Sequence, residues 1–317
     1  MTNQVQISAE NARGLTQKET LLGHNFAENP LFGDEKLTEL IDLARQTGPQ
    51  YYTLGALNED GYGDKWQNGV IGDMSGKDVL EAIKNGRLWL QLQGLREIAP
   101  HYHGVAEEGF KQLKQANDKF SYHNLTSNLL ISSPEAKVLC HLDCAEVILW
   151  HIRGRKRVYL YDLDKVEFSA DETIEKVILR ESEEEIAYRP EWDDVASVYD
   201  LEPGQAANWP HFWPHRVDNI SGLNVSLQTE FYSNNGMREY GIRFANGLLR
   251  RRAGITPAPV TINGLGALAK TGLGLVAKKL GLNSPVERKI RSEFTIDPTK
   301  SGNICPLGQS QQTVLAK

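Results

Sequence analysis

The chain has 317 residues, 40% of them hydrophobic, and a formal net charge of −6. That length and apolar content support a buried core and exclude disorder throughout, and the mild acidity excludes a global attraction to nucleic acid or to an anionic membrane. Three cysteines, Cys140, Cys144 and Cys305, are too few and too odd in number for a disulfide framework, so a reducing, cytoplasmic setting is expected.

Residues 1–30 are polar with few apolar anchors and read as an arm or irregular cap. Their start lacks the basic and then apolar stretch of a secretory signal, and none is expected. Leu37, Leu40, Ile41 and Ala44 recur at helical spacing. Residues 48–77 are glycine-rich and read as loops and short strands. Ser75 then caps a second helix carrying Val79, Leu80 and Ile83, which Gly86 ends. His101 and His103, between Pro100 and Gly104, read as a loop with a possible part at a substrate entrance, and a third helix is expected over residues 106–117. From Tyr122 the period changes to two and a β-rich core begins.

Within that core, His141-Leu142-Asp143 is the most informative run. On a strand, residues i and i+2 point the same way, about 7 Å apart, so this pair can share one metal ion. Cys140 and Cys144 take the opposite parity and should line the back of the strand. Residues 147–152 read as a buried strand that Gly154 breaks, after which Lys156, Val158 and Leu160 fall on one face. That face is apolar except for its ammonium, which needs an anionic partner. Residues 162–202 hold fifteen acidic against four basic side chains, a local charge of −11, and read as a solvated excursion or as a lid for a basic substrate. His215 follows in a run that also contains Trp209, Pro210, His211 and Trp213. It supplies the second histidine of a two-histidine, one-carboxylate set suited to non-haem Fe(II), while His211 reads as a rim residue. From 224 to 232 the chain alternates, with Asn224, Ser226, Gln228, Glu230 and Tyr232 on one face, facing either solvent or a barrel interior. Residues 250–291 reverse the charge, with nine basic side chains against Glu287 alone, a local charge of +8. The apolar tract at 260–282 is interrupted by Lys270, Lys278 and Lys279, and no membrane span is expected.

These residues resemble a family, the Jumonji-C, cupin-like Fe(II)/2-oxoglutarate oxygenases, and among them the asparaginyl hydroxylase of hypoxia-inducible factor. The resemblance covers roughly residues 120–232 and rests on Leu125-Thr-Ser-Asn-Leu-Leu130 before His141-x-Asp143, on Gly154-x-Lys156-Arg157, and on Gly204 with Pro210, Trp213, His215 and Val217. It implies metal ligation by His141, Asp143 and His215, and 2-oxoglutarate held by Lys156. Asn128, Tyr122, Asn224 and Gln228 join Lys156 as candidate cosubstrate contacts. Two positions depart from the family pattern, Gln205 in place of an aspartate and Val138 in place of a threonine. Without that threonine, Tyr122 or Ser127 is the expected hydroxyl beside Lys156.

The fold implied is mainly β with flanking helices, a double-stranded β-helix with helical N-terminal and C-terminal additions. The division expected is an N-terminal helical and loop region over 1–120, a catalytic core over 121–245 and a basic helical extension over 246–317. The activity implied is an Fe(II)- and 2-oxoglutarate-dependent dioxygenase hydroxylating a C–H bond of a peptidyl or small-molecule substrate. A Zn or Mn cupin isomerase or hydrolase, and a non-catalytic ligand-binding cupin, are the alternatives. A homodimer through the C-terminal extension is expected, with the acidic segment as its electrostatic complement in the same chain or across the dimer. Membrane association is not expected, and nucleic acid contact is the minority reading.

Overall fold

The computed structural model describes residues 3–56, 66–134, 136–167, 170–184, 186–283 and 290–315. Its strands are β1 (Val5–Gln6), β2 (Thr20–His24), β3 (Tyr52–Ala56), β4 (Gln67–Val70), β5 (Leu88–Leu92), β6 (His123–Ser132), β7 (Lys137–His141), β8 (Glu146–Leu160), β9 (Ser197–Leu201), β10 (Gln205–Asn208), β11 (His215–Tyr232), β12 (Ile290–Arg291), β13 (Phe294–Ile296), β14 (Ile304–Pro306) and β15 (Val314–Leu315). Its α-helices are α1 (Ala9–Gly14), α2 (Asp34–Thr47), α3 (Gly76–Asn85), α4 (Leu95–Ile98), α5 (Pro100–Ala116), α6 (Ala170–Ile178), α7 (Asn234–Ala253) and α8 (Leu265–Lys279). Thirteen strands form one sheet in the order β1-β2-β10-β8-β11-β6-β5-β3-β4-β13-β14, with β7 beside β11 and β9 beside β8. The path has two edges and does not close into a barrel.

The long antiparallel pair β8 and β11 is the spine. Its ladder slips three times between Asn219 and Ser226, where Gly154 and Gly222 hold φ of +78° and +69°, conformations that cost a glycine little. The slip divides the pair into two arms. In one arm β6 and β10 flank residues 148–150 and 226–230; in the other, β7 and β9 flank residues 156–160 and 215–218. It also changes which parity faces inward. His151 and Leu149 share a face before Gly154, whereas Lys156, Val158 and Leu160 share it afterwards, paired with Asn219, Val217 and His215. If straight, β11 would separate His215 from Glu230 by about 50 Å. Both side chains instead interact with Asp143, so the two arms fold over a common interior.

The opposite face of the first arm is apolar. Leu129, Ile131, Ile148, Trp150, Ile152, Leu227 and Phe231 pack there against Leu37, Leu40 and Ile41 of α2 and Phe110 of α5 in one hydrophobic core. The helix expected over 75–86 is α3, with the Ser75 hydroxyl accepting from the Asp78 backbone N–H. Residues 3–30, expected as an arm, instead contribute β1 and β2 to the sheet edge. The third helix begins at Pro100 and not at 106, so His101 and His103 are helical and not in a loop. Proline explains the early start, since it lacks the N–H that the first helical turn leaves unbonded.

The charged segments meet within the chain. Arg243 binds Asp171 at 2.7 Å, Arg250 and Arg251 bind buried Glu175 at 2.9 and 3.2 Å, and Arg251 also pairs with Glu181. After α7 the chain turns back as α8, a continuous helix despite its glycines. Gly274 is required where the two helices touch, because a Cβ there would collide with the Gly241 carbonyl. The extension then returns to the sheet through β13, parallel to β4. Glu287, Arg288 and Lys289 of the basic tail lie outside the described residues.

Candidate functional site

His141 closes β7 and His215 opens β11, and the two are cross-strand partners with ring centroids 4.2 Å apart. Each Nδ1 lies against a backbone carbonyl two residues earlier, His141 at 2.8 Å from Leu139 O and His215 at 3.0 Å from Trp213 O. An imidazole nitrogen beside a carbonyl oxygen must donate, so both Nε2 atoms are left with lone pairs. Those lone pairs face Asp143. His215 Nε2 is 3.3 Å from Oδ2, and His141 Nε2 is 3.9 Å from Oδ1. Asp143 Oδ2 is buried without a hydrogen-bond partner. Burial pushes the Asp143 carboxyl up and the His215 imidazole well down, with His141 adding to the latter.

One ligand atom from each of the three residues lies within 4.8 Å of the other two. Acceptor lone pairs that converge without a proton between them form an arrangement that a cation completes. β7 ends at His141, so Asp143 arrives on the following loop and not by strand alternation. Around this centre, the Trp209 ring lies 4.6 Å from His215 and the Trp66 ring 6.2 Å from His141. The turn that delivers His215 is strained. Phe212 holds φ of +61°, unusual for a side chain with a Cβ, and stacks on His211 at 3.6 Å.

Lys156 is 3% exposed and lies on the same inward face, four residues from Leu160, which pairs with His215. No acidic group among the described residues forms an ion pair with it. Burial alone pushes its ammonium down to about 8. The cross-strand neighbour Asn219 leaves its Oδ1 unbonded in the interior. Nearby, His151 Nδ1 accepts a hydrogen bond from Ser226 Oγ at 3.0 Å because its Nε2 donates to the Gly154 carbonyl, also at 3.0 Å.

The other expected residues divide. Asn128 and Gln228 are on the inward face: Asn128 Nδ2 donates to Glu230 Oε1 at 3.0 Å, and Gln91 Nε2 to Gln228 Oε1 at 3.3 Å. Tyr122 is not in the site. It packs on Phe110 and Phe120 in the apolar core, because β6 presents that side to α5. Ser127 is on the same outer side, bonded to His103 Nδ1 at 2.8 Å, so neither hydroxyl reaches Lys156. Ser226, which the alternation over 224–232 placed with Asn224 and Gln228 as a candidate contact, is buried on the inner face. Asn224 is spent on the bend, its amide donating to the Ser221 and Gly222 carbonyls. His211 is buried and bonded to the Cys144 carbonyl, not at the rim. Cys140 sits behind the site with Tyr161, Val166 and Trp192.

Glu230 was missed. It is the acid on the inner face of β11, and burial together with the repulsion of Asp143 raises its carboxyl to about 7. The alternation over 224–232 grouped it with the polar face, but the pattern does not mark an acid there as different from an amide.

The Cupin-like domain family matches residues 59–237, more than half of the chain. No curated protein matches. Among solved structures, the X-ray structure of E. coli YcfD aligns with a TM-score of 0.50 at 17% identity, covering 88% of this chain and 69% of that one. A structure of YcfD, described as a ribosomal oxygenase from Escherichia coli in complex with cobalt and 2-oxoglutarate, aligns at 0.48 and 16% identity, covering 88% and 70%. With the family match and the shared fold, this chain belongs to the cupin-like domain family.

Proposed function

We propose that this protein is an Fe(II)- and 2-oxoglutarate-dependent oxygenase that hydroxylates a C–H bond, with His141, Asp143 and His215 as the metal ligands and Lys156 holding the far carboxylate of 2-oxoglutarate. The observation that carries the reading is Lys156, a buried cation on the same face as the triad that forms no ion pair among the described residues. An unpaired buried charge costs several kcal/mol, so a site that keeps one is built for an anion. YcfD, whose fold is shared, is described as a ribosomal oxygenase in complex with cobalt and 2-oxoglutarate.

The metal, when bound, supplies activation of dioxygen with electrons drawn from the cosubstrate. The chain's own residues prepare for that step. The Leu139 and Trp213 carbonyls hold both imidazoles in the ligating tautomer, and Asp143 brings the negative charge. Val158, Leu160, Trp209 and Val217 wall the site with apolar surface that excludes water. Fe(II) or Co(II) titration tests the assignment: one metal per chain is expected, lost on His215→Ala or Asp143→Ala. Metal content unchanged in both variants would reject it.

We further propose a peptidyl substrate and a homodimer formed through α8. Leu265, Leu268, Leu273 and Val276 along that helix, and Leu280 just past its end, are exposed large apolar side chains, the kind of surface that marks an interaction site. The three free thiols suit the cytoplasmic setting proposed for the chain. Light scattering of the full chain should give a dimer, converted to monomer by Leu268→Ser with Val276→Ser.

A further inference from the structure

Of the three triad residues, only Asp143 lies outside a strand. β7 stops at His141 and β8 starts at Glu146, so the carboxylate sits on the link between them, and its Oδ2 accepts no hydrogen bond among the described residues. Backbone contacts on either side set its place instead. Before it, the Leu142 N–H donates to the Glu184 carbonyl at 3.1 Å, and the Leu142 side chain is buried in a cluster with Phe212, Tyr240 and Phe244. After it, the Cys144 carbonyl accepts twice, from His211 Nε2 at 3.1 Å and from the Tyr232 hydroxyl at 3.0 Å. Two donors occupy both lone pairs of that oxygen and fix the plane of its peptide. They come from opposite ends of β11, His211 from the turn before it and Tyr232 as its last residue.

We propose that His211 and Tyr232 are positioning residues for Asp143, and that they set the metal affinity of the triad through the Cys144 carbonyl without touching the metal. This inference rests on the metal assignment above and adds the residues that orient its carboxylate. Three features support it. The imidazoles of His141 and His215 are oriented by carbonyls two residues earlier in their own segments, so the carboxylate alone depends on distant contacts. His211 and His215 address the same short link, one at the Cys144 carbonyl and the other at Asp143, whose Oδ2 lies 3.3 Å from His215 Nε2. Between them sits the left-handed Phe212, stacked on His211, and a strained residue persists where its surroundings over-determine it. The Tyr232 hydroxyl is aimed from behind: its ring meets Tyr240 edge to face at 5.5 Å, and the Lys278 ammonium of α8 lies 4.0 Å from the Tyr240 ring. The C-terminal extension therefore backs the clamp on the carboxylate link.

The test titrates Co(II) into the full chain and follows its visible absorption bands, whose position and intensity report how the carboxylate is bound. Tyr232→Phe deletes the hydroxyl and keeps the ring. It should weaken Co(II) binding roughly tenfold and alter the bands. His211→Leu should do the same, whereas His211→Gln, which keeps an N–H donor, should recover most of the affinity and the wild-type bands. Urea unfolding of the metal-free variants checks that each is folded. Unchanged affinity in both Tyr232→Phe and His211→Leu would overturn the proposal, as would a loss that His211→Gln does not relieve. So would weaker binding with wild-type bands, which is what a general loosening of the fold gives. The metal assignment fails in a different way: a wild-type chain that binds no Co(II), or binds it unchanged in Asp143→Ala, would sink that reading and this one together, while silent clamp variants in a triad-dependent chain would sink this one alone.

Discussion

Two cations are buried on opposite sides of the same pair of strands, and their surroundings differ completely. Behind the site, Arg216 is bonded to Asp193 at 2.7 Å, to Asp218 at 2.9 Å and to the Tyr161 hydroxyl at 2.9 Å, with the Tyr159 ring 3.3 Å beneath its guanidinium. In front, Lys156 is buried and no acidic side chain of the described residues pairs with it. Every guanidinium nitrogen of Arg216 has a partner in the folded chain, so it anchors the acidic excursion to the back of β11. On the proposed function, Lys156 has work only when something anionic arrives. The contrast separates a cation whose partners hold the fold from one that the proposed function assigns to a ligand, a distinction that burial alone cannot make.

The largest effect should come from breaking the satisfied side. Arg216→Ala strips Asp193 and Asp218 of their partner and should lower stability by about 3–5 kcal/mol in urea unfolding. A loss below about 1 kcal/mol would mean the cluster is ornamental. Replacing the unsatisfied cation should do the reverse. Lys156→Met removes an unpaired charge at nearly constant volume and should leave the ligand-free protein as stable or stabler, by about 1–3 kcal/mol, while destroying its response to cosubstrate. With Co(II) present, 2-oxoglutarate at about a hundred times its Kd should stabilise the wild type by about 2.7 kcal/mol and Lys156→Met hardly at all. Equal stabilisation of both would move the cosubstrate elsewhere.

Alkaline pH sharpens the same comparison. The Lys156 ammonium is pushed down to about 8 in the fold, so between about pH 8 and 10.5 the unfolded chain holds more protons than the folded one. Stability then rises with pH across that window, relative to a variant lacking the lysine. Wild type should gain about 2 kcal/mol on Lys156→Met between pH 8 and 10, whereas Arg216, held charged by its carboxylates, contributes no such slope. A constant gap between the two proteins would show that the lysine is paired. The smallest effect is expected at Tyr122: because its ring packs in the outer core, Tyr122→Phe should leave 2-oxoglutarate affinity unchanged within twofold, about 0.4 kcal/mol.

Much of this was legible in the chain, though unevenly. Lys156 stood out because one ammonium at period two among Val158 and Leu160 contradicts an otherwise apolar face. His215 was separable from His211 because Pro210, Trp213 and Val217 fix the alignment. Arg216 was not legible. Its partners Asp193 and Asp218 lie on either side of it in sequence, and in a segment with fifteen acids nothing marks the one that a fold will bury. Tyr122 and Ser127 were misplaced because a residue just before or within a strand can face either way until the sheet's partners are known.

What the sequence by itself determined was the chemistry available: two imidazoles, a carboxylate and a lone buried ammonium, set on strands by period-two patterning and glycine breaks. These are local facts, carried by residue type and spacing over a few residues. Only the tertiary structure decided which groups meet. The slips of β8 and β11 around Gly154 and Gly222 exchange inward and outward parity, and they bring His215 and Glu230 from the two ends of one strand to the same carboxylate. A one-residue change of register inverts every side chain beyond it, so no count along the chain can carry an orientation through a bend whose size is set by packing on both sides.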